Sequence, residues 1–250
     1  MLGTLSLAAI ALAPGLAIGS FLNVVASRVP TGLAIGTSRS ACMSCGAEIR
    51  WYDNVPLVSY VVLRGRCRTC EAPIPARYPL VEGLTAVLVV ASILAFGLTA
   101  EGLLAAAFCA VLVVLSAIDV EHRIVPNRIV LPAAGVAVVA HTLIDPSPEW
   151  LLAALGASGF LLVAALVHPR GMGMGDVKLA LLLGAVLGRD VALALMIGMI
   201  AALLPAIVVA ARGGAVRKLA VPFVPFLALG SVIALFWGDA LLDSYLRLFA

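Results

Sequence analysis

"GLLAAAFCAVLVVLSAID", residues 102–119, carries no charge until its last residue, an aspartate. A run of this length approaches the roughly 20 apolar residues that an α-helix needs to cross a bilayer. Similar runs recur at 5–27, 80–98, 128–144, 150–167, 177–188, 191–211 and 223–242. Composition agrees, with 63% hydrophobic and 12% charged residues in a 250-residue chain and a mean hydropathy of +1.16. A soluble domain has about 25% charged residues. The sequence therefore predicts an all-α polytopic membrane protein of about eight transmembrane helices. Residues 1–13 hold no basic residue, so the first run reads as a span and not as a cleavable signal.

The charges between the runs alternate in sign. Fourteen of the 16 Lys and Arg fall in every second break: seven in 28–79, two in 119–128, two in 168–178 and three in 212–218. The other breaks are acidic or balanced, with Glu101, Asp145 and Glu149, the Arg189–Asp190 pair, and Asp239 with Asp243. Basic loops face the cytoplasm, which puts these four breaks inside and both termini outside. The run at 177–188 is the shortest.

One break is long enough to be a small domain. Residues 28–79 contain "CMSC" at 42–45 and "CRTC" at 67–70. Two such pairs offer four thiolates, Cys42, Cys45, Cys67 and Cys70, for one tetrahedral zinc ion. Disulfides are the competing reading, and a reducing cytoplasm opposes them. A loop this small has too little core to fold alone, so the metal is read as structural. Gly46 and Gly65 suit the tight turns of the two knuckles. The chain divides accordingly into a first transmembrane helix (1–27), a zinc-ribbon-like cytoplasmic cysteine module (28–79) and a seven-helix core (80–250). Cys109, inside the third run, reads as a small buried apolar residue.

Two acids sit at span ends on the side assigned to the cytoplasm: Asp119 in "LSAIDVEHRIVPN" and Asp176 in "GMGMGDVKLA". Ionisable groups at such positions are expensive and point to function. Two neighbouring carboxylates can share a proton, one activating water while the other protects the developing oxyanion, as in aspartic proteases. Gly171, Gly173 and Gly175 would let a peptide or the partner aspartate approach, and Lys178 could tune the acid beside it. The residues alone leave plainer readings open: Asp176 as a helix cap and Asp119 with Arg123 as an i, i+4 ion pair. His122, His141 and His168 show no ligand spacing. "GMGMGD" lacks the βαβ context of a dinucleotide loop.

These two aspartate segments resemble the motifs of the prepilin peptidases, the type IV leader peptidases of the GxGD aspartic-protease class. "GSFLNVVASRVP" (19–30), "DNVPLVSYVVLRGRCRTCEAPIPARYPLVE" (53–82) and "VPFVPFLALGS" (221–231) resemble further blocks of the same family, in order along the chain. One departure is Asn127, in "VPN", where the family often has an acid. The resemblance implies a multi-pass protein of the bacterial inner membrane with catalytic Asp119 and Asp176, supported by Gly173, Gly175 and Lys178. It implies cleavage of the basic leader of type IV prepilins or pilin-like secretion subunits at the cytoplasmic face. The four-cysteine module implies a second activity, N-methylation of the exposed residue by S-adenosylmethionine. The donor's site is not assigned, and 42–82, including Glu82, is the region to search. The implied partners are prepilin-like proteins and membrane lipid, not nucleic acid.

Two other classes compete. A proton- or cation-coupled transporter could use Asp119 and Asp176, but transport sites favour the bilayer midplane and repeated halves, and these acids lie at one edge. A membrane scaffold docking a partner through the cysteine module leaves the glycines before Asp176 without a role.

Overall fold

Within lipid every backbone N–H and C=O must be satisfied inside its own segment, so apolar runs of this length become helices. A computed structural model describes residues 2–36, 39–168, 173–212 and 221–247. Its helices are α1 (Leu2–Arg28), α2 (Val58–Val62), α3 (Arg77–Phe96), α4 (Ala100–His122), α5 (Asn127–Ile144), α6 (Glu149–Val167), α7 (Met174–Leu187), α8 (Val191–Ala211) and α9 (Val224–Arg247). Apart from the five-residue α2, these match the eight runs in order. Gly171 and Arg170 lie outside the described residues, as do Arg217 and Lys218. The chain divides into two compact units, residues 1–118 and 119–250.

In the first unit, α1 and α3 pack antiparallel through two glycines four residues apart. A Cβ on Gly15 would lie 2.9 Å from the Cα of Ala86, and one on Gly19 would lie 2.7 Å from the Cα of Glu82. Paired small residues of this kind let membrane helices approach closely. Farther along, Ala11, Val89, Ile93 and Ala106 form an apolar cluster that joins α1, α3 and α4.

In the second unit α7 is the central helix. Nine of its 14 residues are buried, the mark of a helix surrounded by protein. It runs antiparallel to α6, with Gly184 against Ala154 and the Ser158 hydroxyl donating to the Val177 carbonyl. By length and apolarity seven tracts could cross a membrane, and one of them is the 36-residue stretch Met174–Val209. That stretch folds back on itself at a 3₁₀ turn, Gly188–Asp190. Gly198 packs on Leu227, Gly230 on Gly198, and Gly238 on Asp190, so α8 returns antiparallel to α9. The tract therefore supplies two helices, and the long helices number eight among the described residues. Glu149 closes the turn by accepting the Arg189 N–H at 2.9 Å, while the Arg189 guanidinium pairs with Asp239 at 2.8 Å.

Candidate active site and cysteine cluster

Both aspartates cap helices, but in different ways. Asp176 is in the first turn of α7. Its N–H donates to the Gly173 carbonyl at 3.1 Å, and its Oδ2 accepts the Gly173 N–H at 3.3 Å. This exchange satisfies a helix start from both directions, so the capping role left open by the sequence is realised. Asp119 caps a helix other than its own. It lies in the last turn of α4, 6% exposed, and its Oδ2 accepts the N–H of Val224, the first residue of α9, at 3.0 Å.

The start of α9 needs this acceptor. A helix begins with four N–H groups that have no partner within it. Here Val224 donates to Asp119, Pro225 has no N–H, and Phe226 and Leu227 both donate to the Phe223 carbonyl. A helix N-terminus also favours negative charge. In "VPFVPF" the signal for this anion-binding helix start is a proline at the second helical position, Pro225.

Helix α4 stops three residues beyond Asp119, at His122. Arg123 takes a left-handed conformation, φ 54°, and its N–H donates to the Asp119 carbonyl at 2.9 Å. This is a helix-ending bond at a position where glycine is usual. Two contacts then tie the segments carrying the acids together. A Cβ on Gly175 would lie 3.0 Å from Val125, so this glycine makes room for the chain's own loop after Asp119. The Lys178 ammonium donates to Asn127 Oδ1 at 2.9 Å, joining α7 to the start of α5 at the residue where the resemblance expects an acid. A Cβ on Gly173 would meet Asp176 Oδ2 at 3.6 Å and the Gly175 nitrogen at 3.8 Å, both ordinary contacts. Both acids lie in the second unit, and each has one oxygen already fixed by a backbone N–H.

The cysteine module lies in the first unit. The sulfurs of Cys42, Cys45, Cys67 and Cys70 all lie within 4.8 Å of one another, and those of Cys42 and Cys70 are 3.8 Å apart. A disulfide needs about 2.05 Å. Four sulfurs at about 2.3 Å from one tetrahedral ion would be separated by about 3.8 Å, so this donor set fits such a metal. Each knuckle repeats one pattern. Cys42 donates its N–H to Ala47 and accepts that of Gly46 on its carbonyl; Cys67 does the same with Ala72 and Glu71.

The N–H groups of Cys45 and Ser44 point at the Cys42 sulfur and lower its thiol to about 6. Those of Cys70 and Thr69 lower Cys67 in the same way. At Cys70 the Ala72 N–H favours the thiolate, but the neighbouring sulfurs and desolvation push the thiol up to about 12. Four adjacent thiols therefore resist full ionisation without a cation.

Gly46 occupies its knuckle turn with φ 70°, as expected, whereas Gly65 does not serve the second knuckle. Gly65 precedes Cys67, and the position equivalent to Gly46 belongs to Glu71, with φ 58°. Gly65 does take the positive φ expected of it, 66°, but in the turn that leads into Cys67 and not in the knuckle itself. Asp53 braces the module through two hydrogen bonds from Arg68, at 2.6 and 2.8 Å, which hold its carboxyl below the usual range. Cys109 is fully buried, as expected.

Residues 14–96 match the family model described as the bacterial peptidase A24 N-terminal domain, and residues 106–211 match that of the type IV leader peptidase family. Among curated proteins, the chain is 33% identical to a prepilin leader peptidase/N-methyltransferase of Xanthomonas campestris pv. campestris, over 93% of this chain and 92% of the relative. It is 31% identical to the protein of that name from Bacillus subtilis, over 94% and 96%, and 34% identical to that of Pseudomonas aeruginosa, over 93% and 91%. No solved structure matches the chain significantly.

Proposed function

The chain belongs to the type IV leader peptidase family, and on that premise we propose that it is a bacterial inner-membrane aspartic endopeptidase. It removes the leader of type IV prepilins or pilin-like secretion subunits and then N-methylates the residue exposed. The observation that carries the cleavage half is the presence in one unit of Asp119 and Asp176, each with one oxygen held by a backbone N–H. One carboxylate takes a proton from water as the water oxygen attacks the scissile carbonyl. The other carries a proton to the developing oxyanion and then to the leaving amine. Gly173, Gly175 and Lys178 support the loop that presents Asp176. The alternation of basic breaks supports an active site at the cytoplasmic face and both termini outside.

In this reading 1–27 is the first transmembrane helix, 28–79 the cytoplasmic cysteine module and 80–250 the peptidase core. Cys42, Cys45, Cys67 and Cys70 hold a zinc ion whose four ligands leave no open position, so it folds the module and takes no part in chemistry. S-adenosylmethionine supplies the methyl group, as a carbon on a sulfonium.

The test uses purified full-length protein and a prepilin-like peptide. Asp119→Asn and Asp176→Asn should each abolish leader cleavage while wild type cleaves. Cleavage that persists in both variants removes the dyad from the mechanism. Metal analysis of the same preparations should give one zinc per chain, lost in Cys42→Ser.

A further inference from the structure

A second buried carboxylate takes no part in the proposed cleavage. Glu82, in α3 of the first unit, is 9% exposed. Its Oε2 accepts the Leu57 N–H at 2.9 Å, and Ser20 follows Gly19, where a Cβ would lie 2.7 Å from the Glu82 Cα. Among the described residues no Lys, Arg or His forms an ion pair with it. A buried carboxylate without a cation is expensive, and at the end of a membrane span such a group points to function.

Two further observations bear on the same place. Asn23, one turn beyond Ser20 on the same face of α1, is 3% exposed. Its amide N–H₂ donates to the Tyr78 carbonyl, one turn before Glu82, at 3.1 Å, while its Oδ1 receives no hydrogen bond. Leu57, whose N–H reaches Glu82, has φ 58° and ψ −45°, a conformation a branched side chain avoids unless its surroundings enforce it. Gly19 lets the α1 backbone approach that of α3 closely at Glu82, on the side of α1 that carries Asn23. The cluster has acceptors in excess: a carboxylate, an orphaned amide oxygen and a hydroxyl that can also accept. Three acceptors suit the three N–H bonds of a primary ammonium, and they are too few for a calcium or magnesium ion.

We infer that Glu82, Asn23 and Ser20 form a receptor for a primary ammonium group, and that its occupant is the amine newly exposed by leader cleavage. The inference rests on the methyl-transfer half of the proposed function. Glu82 accepts one proton from the ammonium, leaving a neutral amine and a carboxylic acid. The amine lone pair then forms the N–C bond to the donor's methyl carbon as the C–S bond breaks. The donor leaves as a neutral thioether, and the product is a methylated ammonium. Asn23 Oδ1 and Ser20 Oγ hold the remaining N–H bonds and aim the lone pair.

The test uses full-length protein and two pre-cleaved pilin-like peptides, one with a free N-terminal amine and one N-acetylated. Wild type should bind the free amine at least about tenfold more tightly, the scale of a charge-assisted hydrogen bond. Glu82→Gln keeps an oxygen for the Leu57 N–H, so the helix pair and module stay docked. It should lose that preference and lower transfer of labelled methyl by at least about 100-fold, with leader cleavage within about twofold of wild type. Asn23→Leu should weaken the preference by a smaller factor. If both variants keep the preference and methylate at the wild-type rate, the inference is overturned. If Glu82→Gln loses cleavage together with binding, its role is structural and the inference also fails. If wild type cleaves but methylates neither peptide, the proposed second activity fails, and the amine preference alone then decides whether the receptor exists.

Discussion

If Asp119 serves both chemistry and the start of α9, two substitutions at this position must separate the roles. Asp119→Asn removes the charge but keeps an oxygen that can accept the Val224 N–H now bonded at 3.0 Å. Asp119→Ala removes that acceptor too, at a site where Val224 is 0% and Asp119 6% exposed. A buried donor left without a partner costs about 1–3 kcal/mol, and loss of an N-cap about 0.5–2 kcal/mol. These describe one broken bond and do not add, so about 2 kcal/mol is expected for alanine. Asparagine loses only the attraction of charge to helix dipole, about 0.3–1 kcal/mol. For a chain of this size 1 kcal/mol moves the melting midpoint by about 2–4 °C. Alanine should therefore melt about 4–8 °C below wild type, and asparagine within about 4 °C of it. Tryptophan fluorescence in detergent can report this, since Trp237 lies in α9 itself. Both variants should lose leader cleavage by at least about 100-fold. Equal midpoints for the two would refute the capping argument, and cleavage surviving in asparagine would refute the catalytic one.

The other predictions concern the glycines before Asp176, the second knuckle and Asn127. Gly175→Ala places a Cβ 3.0 Å from Val125, so it should lower both stability and cleavage, with overpacking worth about 1–3 kcal/mol partly offset by helix propensity; Gly173→Ala meets only ordinary contact and should cleave at near the wild-type rate. A peptidase assay on the two variants ranks them, and equal loss in both would mean the glycines clear space for substrate. Glu71→Gly relieves a left-handed residue in the second knuckle. Strain of about 1 kcal/mol should reappear as roughly fivefold tighter zinc binding in chelator competition; unchanged affinity would mean that the turn is not strained. Asn127→Asp turns the Lys178 hydrogen bond into an exposed ion pair, which is worth about 0–1 kcal/mol. Its melting midpoint should stay within about 4 °C of wild type, and a larger rise would show the pair to be better shielded than its exposure implies.

Hydropathy made the helices legible because lipid leaves the backbone no other solution, and the shortest run, 177–188, became the shortest long helix, α7. Cysteine spacing likewise announced its cluster, since four thiols at knuckle spacing have few other uses. The partners of the aspartates were not legible. Asp119 is 105 residues from Val224, and no periodicity links a helix end to the start of a helix so far along the chain. Gly175 was read as clearance for a substrate, yet the atoms nearest its missing side chain belong to Val125, a residue with no chemical signature. Gly15 and Gly19 were within reach of sequence reasoning, because small residues four apart in an apolar run signal close helix packing. Glu82 is marked in the sequence only by its place in a motif, and its burial against α1 depends on that packing.

For Asp176 the competing sequence readings, cap and catalyst, are compatible, and Asp119 caps α9 where the sequence offered only an ion pair with Arg123; there is a physical reason to combine the two roles. A carboxylate in an apolar chain must be stabilised, and a nearby Lys or Arg would do this by a strong, orienting charge that occupies the face water must reach. A backbone N–H holds one carboxylate oxygen from behind and leaves the other free. Helix starts offer such N–H groups without adding a side chain. The length of α7 extends the argument: 14 residues rise about 21 Å, less than the ~30 Å hydrocarbon core. A helix that short cannot have both ends at the headgroups, and the Gly173–Asp176 exchange fixes the carboxylate at the end where α7 begins.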